Sequence, residues 1–430
     1  MLDLKFIREN SEVVKNAIKL KRVALDLDQL LSLDKDLLSV KQKMQELQTE
    51  RNANSKKIPS LPAGEREQFI KRGREIGDEI EALKPKVNEL EENLKNMLWL
   101  VPNIPSERAP IGKDEEDNVE VKRVGEYRNF DFTPLNHIEI LTKNDWAEFE
   151  RIAEVCGSRS YALKNEMVLL EQAIHRLAID KLLNKNFTLL SMPSLVREQT
   201  LYGTGHFPTG KEQVYYLQSD DSYLSGTAEV QLNSLHTGEI LDESRLPIKY
   251  AGYSACFRRE AGSYGKDVKG LIRVHQFTKV EQYIICKSDA EESERMHAEL
   301  LATSEEIVSD LELPYRVVEC CTGDMGTGKV RMYDLEAWVP SEKKYRETHS
   351  CSSLHDWQAR RTNLRYRNSE GKVLYCHTLN NTAIATPRIL VPFLENHQEK
   401  DLSIRIPAKL QPYMQAYLGG TIYLKPRNKK

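Results

Sequence analysis

The densest chemistry in the chain lies between Tyr250 and Ile285, YAGYSACFRREAGSYGKDVKGLIRVHQFTKVEQYII. A strand-like run ends in Phe257-Arg258-Arg259-Glu260, a loop rich in Gly, Lys and Ser follows, and a second run carries Arg273, His275, Phe277 and Glu281. On an extended chain residues two apart share a face, so Arg258 sets a planar guanidinium donor beside the carboxylate acceptor of Glu260, with Arg259 turned away. Over a loop this polar, that pair suits a triphosphate laid on a sheet. A surface ion pair at a hairpin accounts for the spacing equally well.

A second glycine-rich stretch, Gly323-Asp-Met-Gly-Thr-Gly328-Lys329, fits Gly-x-x-x-x-Gly-Lys. A phosphate-binding loop of that kind needs Ser or Thr next, to hold magnesium, and a helix behind it. Here Val330 follows, and then the strand-like RMYDLEAWV, so the stretch reads as a turn. Seven cysteines are scattered without a Cys-x-x-Cys pair, which disfavours a disulfide framework and a zinc ribbon. Convergence of Cys320, Cys321, Cys351 and Cys376 with a histidine on a metal is open, but buried reduced thiols are the commoner fate of such residues.

The elements that must position these groups follow from composition and periodicity. With 430 residues, 40% hydrophobic and 30% charged, the chain has length for two or three domains and ample core. No run approaches the ~20 apolar residues that span a bilayer, and the start MLDLKFIREN lacks an h-region, so a cytoplasmic protein is expected. The net charge of -3 advertises no global field for nucleic acid; any such partner needs a local basic surface.

Apolar residues at Leu30, Leu33, Leu37, Val40, Met44 and Leu47 step by three and four. After a break at Ile58–Gly64 the rhythm resumes at Phe69, Ile76, Ile80, Leu83, Val87, Leu90, Leu94 and Met97. This predicts an antiparallel helical hairpin with legs of ~30 residues, ~45 Å long, kinked at Pro85. It serves either as a dimerisation coiled coil or as a lever reaching part of a large ligand, its basic residues (Lys41, Lys43, Arg51, Lys56, Lys57, Lys71, Arg72, Arg74) being interleaved with acids. A Pro-, Gly- and acid-rich linker spans residues 101–118. Beyond it, helices near 163–184 and 289–311 alternate with strand runs at Gln213–Leu217, Ile248–Phe257, Val280–Cys286, Tyr315–Cys320 and Lys372–Leu379. Several strands follow one another without a helix between, which predicts an α+β domain on a largely antiparallel sheet.

The Tyr250–Ile285 segment resembles motif 2 of class II aminoacyl-tRNA synthetases, and within them the seryl-tRNA synthetases of bacterial type, whose FRxEAGSxGxxxxGLxRxHQFxKVE pattern it follows nearly letter for letter. The start MLDLKFIREN is similar to that family's opening, and Ile111-Gly-Lys-Asp-Glu-Glu-Asp-Asn118 approximates its linker. Thr227-Ala228-Glu229 resembles the serine loop. Tyr333-Asp-Leu-Glu336 and Trp357-Gln-Ala-Arg-Arg361 fall in order. His377-Thr-Leu-Asn380, Arg388 and Leu394-Glu-Asn396 resemble motif 3, and Leu182–Pro193 resembles motif 1, which builds the dimer interface in this class.

The resemblance implies two domains, a tRNA-binding domain with the helical arm (1–110) and a class II catalytic domain with motifs 1, 2 and 3 (111–430). It implies ATP, L-serine and tRNA(Ser) as substrates, with tRNA(Sec) an open addition, a homodimer, and Mg2+. Arg258 would hold the α-phosphate and Arg388 the γ-phosphate. Phe277 would stack on adenine, Glu260 would contact its edge, and Arg273 would stand on the phosphate side, with Arg259 counted among the ATP-site residues. Glu347 and Ser350, within Glu347-Thr348-His349-Ser350, would coordinate the metal and line the ATP site. Glu281 with Thr227, Ala228 and Glu229 would meet the serine ammonium, and Thr382 with Asn380 would recognise its hydroxyl.

This chain departs from the family at several points. TLNGSGLA is here Thr378-Leu-Asn-Asn-Thr-Ala-Ile-Ala385, a threonine replacing the serine hydroxyl. Glu-Ile-Ser-Ser is here Glu347-Thr-His-Ser350, which places His349 beside a metal ligand, where a solvent-facing or supporting role is expected. SCSN becomes Ser350-Cys-Ser-Ser353, and Arg259 replaces a common serine. Two rivals stand beside the synthetase reading. An enzyme loading an amino acid onto a carrier protein would lack the arm. A catalytically altered paralogue, either an RNA-binding or interaction protein or an inhibitor-resistant duplicate, would in the former case have lost Arg258, Glu281, Glu347 or Arg388.

Overall fold

A computed structural model describes residues 1–262 and 269–425. Contacts divide it into two compact units, one spanning Leu2–Pro102 and the other beginning at Asn103. The boundary falls inside the stretch read as a linker. From Asn103 onward that stretch is tied down: the Asn103 amide donates to the carbonyls of Gly328 (3.0 Å) and Leu354 (2.8 Å), and Asn118 donates to Asp324 (2.8 Å).

The first unit holds four helices, α1 (Leu4–Glu9), α2 (Ser11–Leu20), α3 (Leu27–Lys57) and α4 (Ala63–Leu100). Asp26 starts α3 by accepting from the Asp28 and Gln29 amides, satisfying two of the amides that every helix leaves unpaired at its start. α3 and α4 are the expected hairpin, joined through a short turn at Ile58–Ser60. Its seam holds Leu47, Ile76 and Ile80, packed with Met44 and Leu83. α4 is one helix across Pro85, which sits on the exposed side. One residue of α3, Asp34, is buried though charged, under a two-bond contact from Arg8 of α1, both distances 2.6 Å. Lys41 pairs with Glu91 (2.6 Å) and Arg72 with Glu50 (2.9 Å), so part of the basic character is consumed in tying the legs together.

The second unit is built on eight strands: β1 (Val119–Val124), β2 (Thr188–Ser191), β3 (Ile248–Phe257), β4 (Gln276–Cys286), β5 (Tyr315–Glu319), β6 (Arg331–Val339), β7 (Lys344–His355) and β8 (His377–Thr386). Their order across the sheet is β1-β5-β6-β7-β8-β4-β3-β2. Every neighbouring pair is antiparallel except β2 with β3. Helices α5 (Glu166–Asn184), α6 (Ala290–Asp310) and α7 (Leu390–His397) bury apolar faces with Val280, Ile284, Leu335, Leu379 and Ala383 of the sheet. Side chains alternate across a strand, so Phe277, Lys279 and Glu281 of β4, and Asn380 and Thr382 of β8, are left for the opposite face. The run read as one strand from Lys372 is two, Val373–Tyr375 and β8.

Candidate active site

The face of β4, β7 and β8 turned away from α5 and α6 floors a cleft enclosing about 970 Å³ of space open to solvent. At its inner end the register sets Glu281 of β4 opposite Thr382 of β8 and Tyr283 opposite Asn380. Glu281, Asn380 and Thr382 are all buried. On the other flank Glu281 pairs with Gly252 of β3. A side chain at Gly252 would come within 2.8 Å of the Ala228 and Leu232 side chains, so glycine there lets the Thr227–Glu229 loop and the helix behind it lie directly on the sheet. Thr227 and Glu229 reach the cleft from that loop, with Glu229 held by the Gln358 amide at 2.7 Å. Ala228 is fully buried as packing.

The inner end carries two carboxylates. Glu281 and Glu229 face it with Lys279, which is in ion-pair contact with Glu281. Burial raises the Glu281 carboxyl above its usual range, Lys279 opposes that shift, and the nearby Glu229 adds to it. A ligand ammonium beside Glu281 and Glu229 would favour their ionised forms. His206 lines the same end, its ring lowered to about 4 by burial and by the charges of Arg258, Lys279 and Lys329.

The outer end is cationic. Arg258 lies over the Phe277 ring at 5.2 Å, a cation–π contact that holds both. β3 stops at Phe257 and Glu260 has φ +50°, so Arg258 and Glu260 line the cleft from a turn, not from one strand face as their spacing suggested. Glu260 accepts from Arg273 at 3.3 Å. Of the polar loop between them, residues 263–268 lie outside the described residues. Arg388 follows β8 and donates to the Ile272 carbonyl and to Glu347, at 3.3 and 3.4 Å. An adjoining hollow is lined by Arg273, Arg316, Lys344, Arg346 and Arg388 against three acids, Glu115, Glu336 and Glu347.

Glu347 and Ser350 share the cleft although three residues apart on a strand. The β6–β7 register breaks between the pairs Leu335–His349 and Glu336–Glu347, leaving Thr348 as the extra residue of a bulge. That extra residue turns Glu347, Thr348, Ser350 and Ser352 toward one face. His349 goes the other way. It is 2% exposed, its ring bonds Thr348 Oγ1 (2.8 Å) and the Ala383 carbonyl (3.0 Å), and burial lowers it to about 4. Of the two roles expected of His349 the solvent-facing one is corrected: it is buried behind Thr348 and does not line the cleft. Arg259 is exposed and also outside the cleft, its amide bonded to the Gln213 carbonyl at 2.9 Å.

The glycine turn leads into β6, not a helix, so it is no phosphate loop, yet Lys329 at its end does reach the cleft. Lys329, Lys279, His206, Ser352 and Arg346 were missed. For Lys279 a signal existed, since it stands midway between Phe277 and Glu281 on one face; the others come from separate loops and strands. Six cysteines are buried and Cys156 is exposed. The four that might have gathered on a metal do not. Instead Cys320 lies beside Asp324 and Asp334.

The antiparallel sheet and its cleft define a class. Residues 215–397 match the tRNA synthetase class II core domain (G, H, P, S and T), and residues 1–105 match the seryl-tRNA synthetase N-terminal domain. The chain is 57% identical over 414 residues to the serine–tRNA ligase of Deinococcus radiodurans, covering 96% of this chain and 97% of that one. It is 45% identical to that of Dictyoglomus turgidum, with 96% and 98% covered. Among solved structures, the seryl-tRNA synthetase of Pyrococcus horikoshii complexed with ATP superposes with a TM-score of 0.90 at 40% identity, covering 99% of this chain and 100% of that one. The cytoplasmic enzyme of Naegleria fowleri in complex with AMP gives 0.86 at 31% identity, covering 100% and 99%. The chain belongs to the seryl-tRNA synthetase family.

Proposed function

We propose that this chain activates L-serine with ATP and transfers the seryl group to the 3′ end of tRNA(Ser). The observation that carries the reading is one cleft with two unlike ends: a buried carboxylate and hydroxyl, Glu281 and Thr382, set opposite each other on paired strands, and an arginine-rich end carrying the Arg258–Phe277 stack.

Serine enters with its ammonium toward Glu281 and Glu229 and its hydroxyl toward Thr382 and Asn380. ATP lies with adenine on Phe277, its edge toward Glu260, its α-phosphate at Arg258 and its outer phosphates toward Arg388 and Arg273. A serine carboxylate oxygen attacks the α-phosphorus, the bond to the bridging oxygen breaks, and pyrophosphate leaves. A terminal ribose hydroxyl of the tRNA then attacks the seryl carbonyl and AMP leaves. No side-chain base is required for the first step; alignment and arginine charge at the developing negative oxygens carry it.

The donor set near Glu347 fits magnesium. Glu347 and Ser350 would hold it, both offering oxygen, and Asp334, whose carboxyl bonds Ser350, keeps a buried oxygen without a hydrogen-bond partner. When bound, the ion neutralises charge shared between the ATP phosphates.

The arm, with exposed Lys43, Arg51, Lys56, Lys57, Lys71 and Arg74 gathered largely toward its tip, is proposed to grip tRNA within a domain of residues 1–110. Residues 111–430 would form the catalytic domain. A homodimer is proposed through β2, an edge strand with Leu189 39% exposed. No helix among the described residues is long and apolar enough to cross a membrane, and the cytoplasm is the proposed compartment. Against an inactive RNA-binding or interaction paralogue, Arg258, Glu281, Glu347 and Arg388 are all retained in the cleft. Charging of tRNA(Ser) transcript with labelled serine tests the whole reaction. Seryl-tRNA formation is expected, and its absence alongside normal serine activation would overturn the tRNA half.

A further inference from the structure

We propose that Glu171 and His175 are positioning residues for Arg388, acting through a clamp on the hydroxyl of Thr386 and so setting affinity for ATP without touching it. The inference rests on the ATP reading of Arg388. Glu171 and His175 are four apart on α5, hence on one face of that helix. Both meet Thr386 Oγ1, Glu171 at 2.6 Å and His175 Nε2 at 3.1 Å. Thr386 is wholly buried, ends β8 and stands two residues before Arg388. Among the described residues the Arg388 guanidinium makes long bonds, 3.3–3.4 Å, to Ile272 and Glu347. Its place is therefore fixed chiefly by where the backbone leaves the sheet, and the clamp fixes that point.

Burial raises the Glu171 carboxyl, the bond from Thr386 opposes that shift, and the Glu171 charge in turn raises Tyr161 and Tyr253. Burial lowers His175 to about 4, against a backbone bond to Thr278 that favours the protonated ring and so identifies a carbonyl acceptor. Thr386 Oγ1 donates to the Glu171 carboxyl, and His175 Nε2 meets the same hydroxyl oxygen, so two residues of one helix hold one atom at the end of β8. Thr278 pairs with Thr386 across β4 and β8 and adjoins Phe277, so the same clamp also braces the strand that carries the adenine platform.

The test is ATP–pyrophosphate exchange with full-length enzyme, reading KM for ATP and KM for serine separately. KM does not depend on the fraction of protein that is folded. Glu171→Ala should raise KM for ATP about tenfold and leave KM for serine within about twofold, the loss of one buried hydrogen bond at this corner. Glu171→Gln keeps a side-chain oxygen that can accept from Thr386 and should stay within about twofold for both. Thr386→Val should match Glu171→Ala; if it does not fold, the Glu171 pair decides. An unchanged KM for ATP in Glu171→Ala, or equal rises for ATP and serine, would overturn the clamp. Arg388→Ala separates the two readings: if it retains normal ATP use, the phosphate reading fails and this inference with it.

Discussion

Thr382 is buried and lines the cleft, and its hydroxyl is proposed to bond the substrate serine. Thr382→Val removes that group while keeping shape. It should lower kcat/KM for serine about 10- to 100-fold and leave that for alanine unchanged, measured by exchange, because only serine has a hydroxyl to leave unpaired. The buried histidines make a second prediction. His297 is 2% exposed, bonds the Cys351 carbonyl at 3.1 Å and is lowered to about 4 by burial. Between that value and the ordinary 6.5 the unfolded chain binds the extra proton. Stability is therefore present above pH 6.5 and lost as pH falls toward 4, at about 1.4 kcal/mol per pH unit for each such ring. Chemical denaturation at pH 7, 6 and 5 should show a shallower loss in His297→Gln than in the parent; equal slopes would refute the assignment. At this scale the cleft residues named by type and spacing were legible, since strand alternation puts Phe277 and Glu281 on one face. His349 was not, because a single bulge residue reverses which neighbours face the cleft and sequence carries no sign of it.

Among the elements, the arm was the most legible, its three-and-four rhythm giving both legs and the turn. Asp34 was unreadable in that rhythm, because its partner Arg8 comes from α1 and only the fold brings them together. Ile76 is wholly buried in the arm seam. Ile76→Ala should cost the arm about 2–4 kcal/mol, seen as faster amide exchange in α3 and α4. Serine activation should stay unchanged, since the cleft belongs to the other unit, while tRNA charging falls. A parallel loss of activation would contradict the division of labour. The unit boundary falls within the linker read from sequence, but Pro, Gly and acidic residues mark only irregular backbone, which can still be pinned by side-chain amides such as Asn103 and Asn118.

For the whole molecule, a net charge of -3 leaves RNA binding to local basic surface. Charging should therefore weaken steeply with salt while activation does not. Leu189→Asp, on the exposed edge strand, should shift the chain from dimer to monomer in sedimentation; a dimer unaffected by that charge would place the interface elsewhere. The α+β class and the antiparallel sheet were legible from strands that follow without intervening helices. The strand order was not, since β8 inserts between β7 and β4 from far along the chain. The most direct test of the central claim is ATP–pyrophosphate exchange with serine, threonine, alanine and glycine in turn, without tRNA and with magnesium present. The account predicts strong exchange with serine alone; exchange with another of the four, or with none from folded protein, would contradict it.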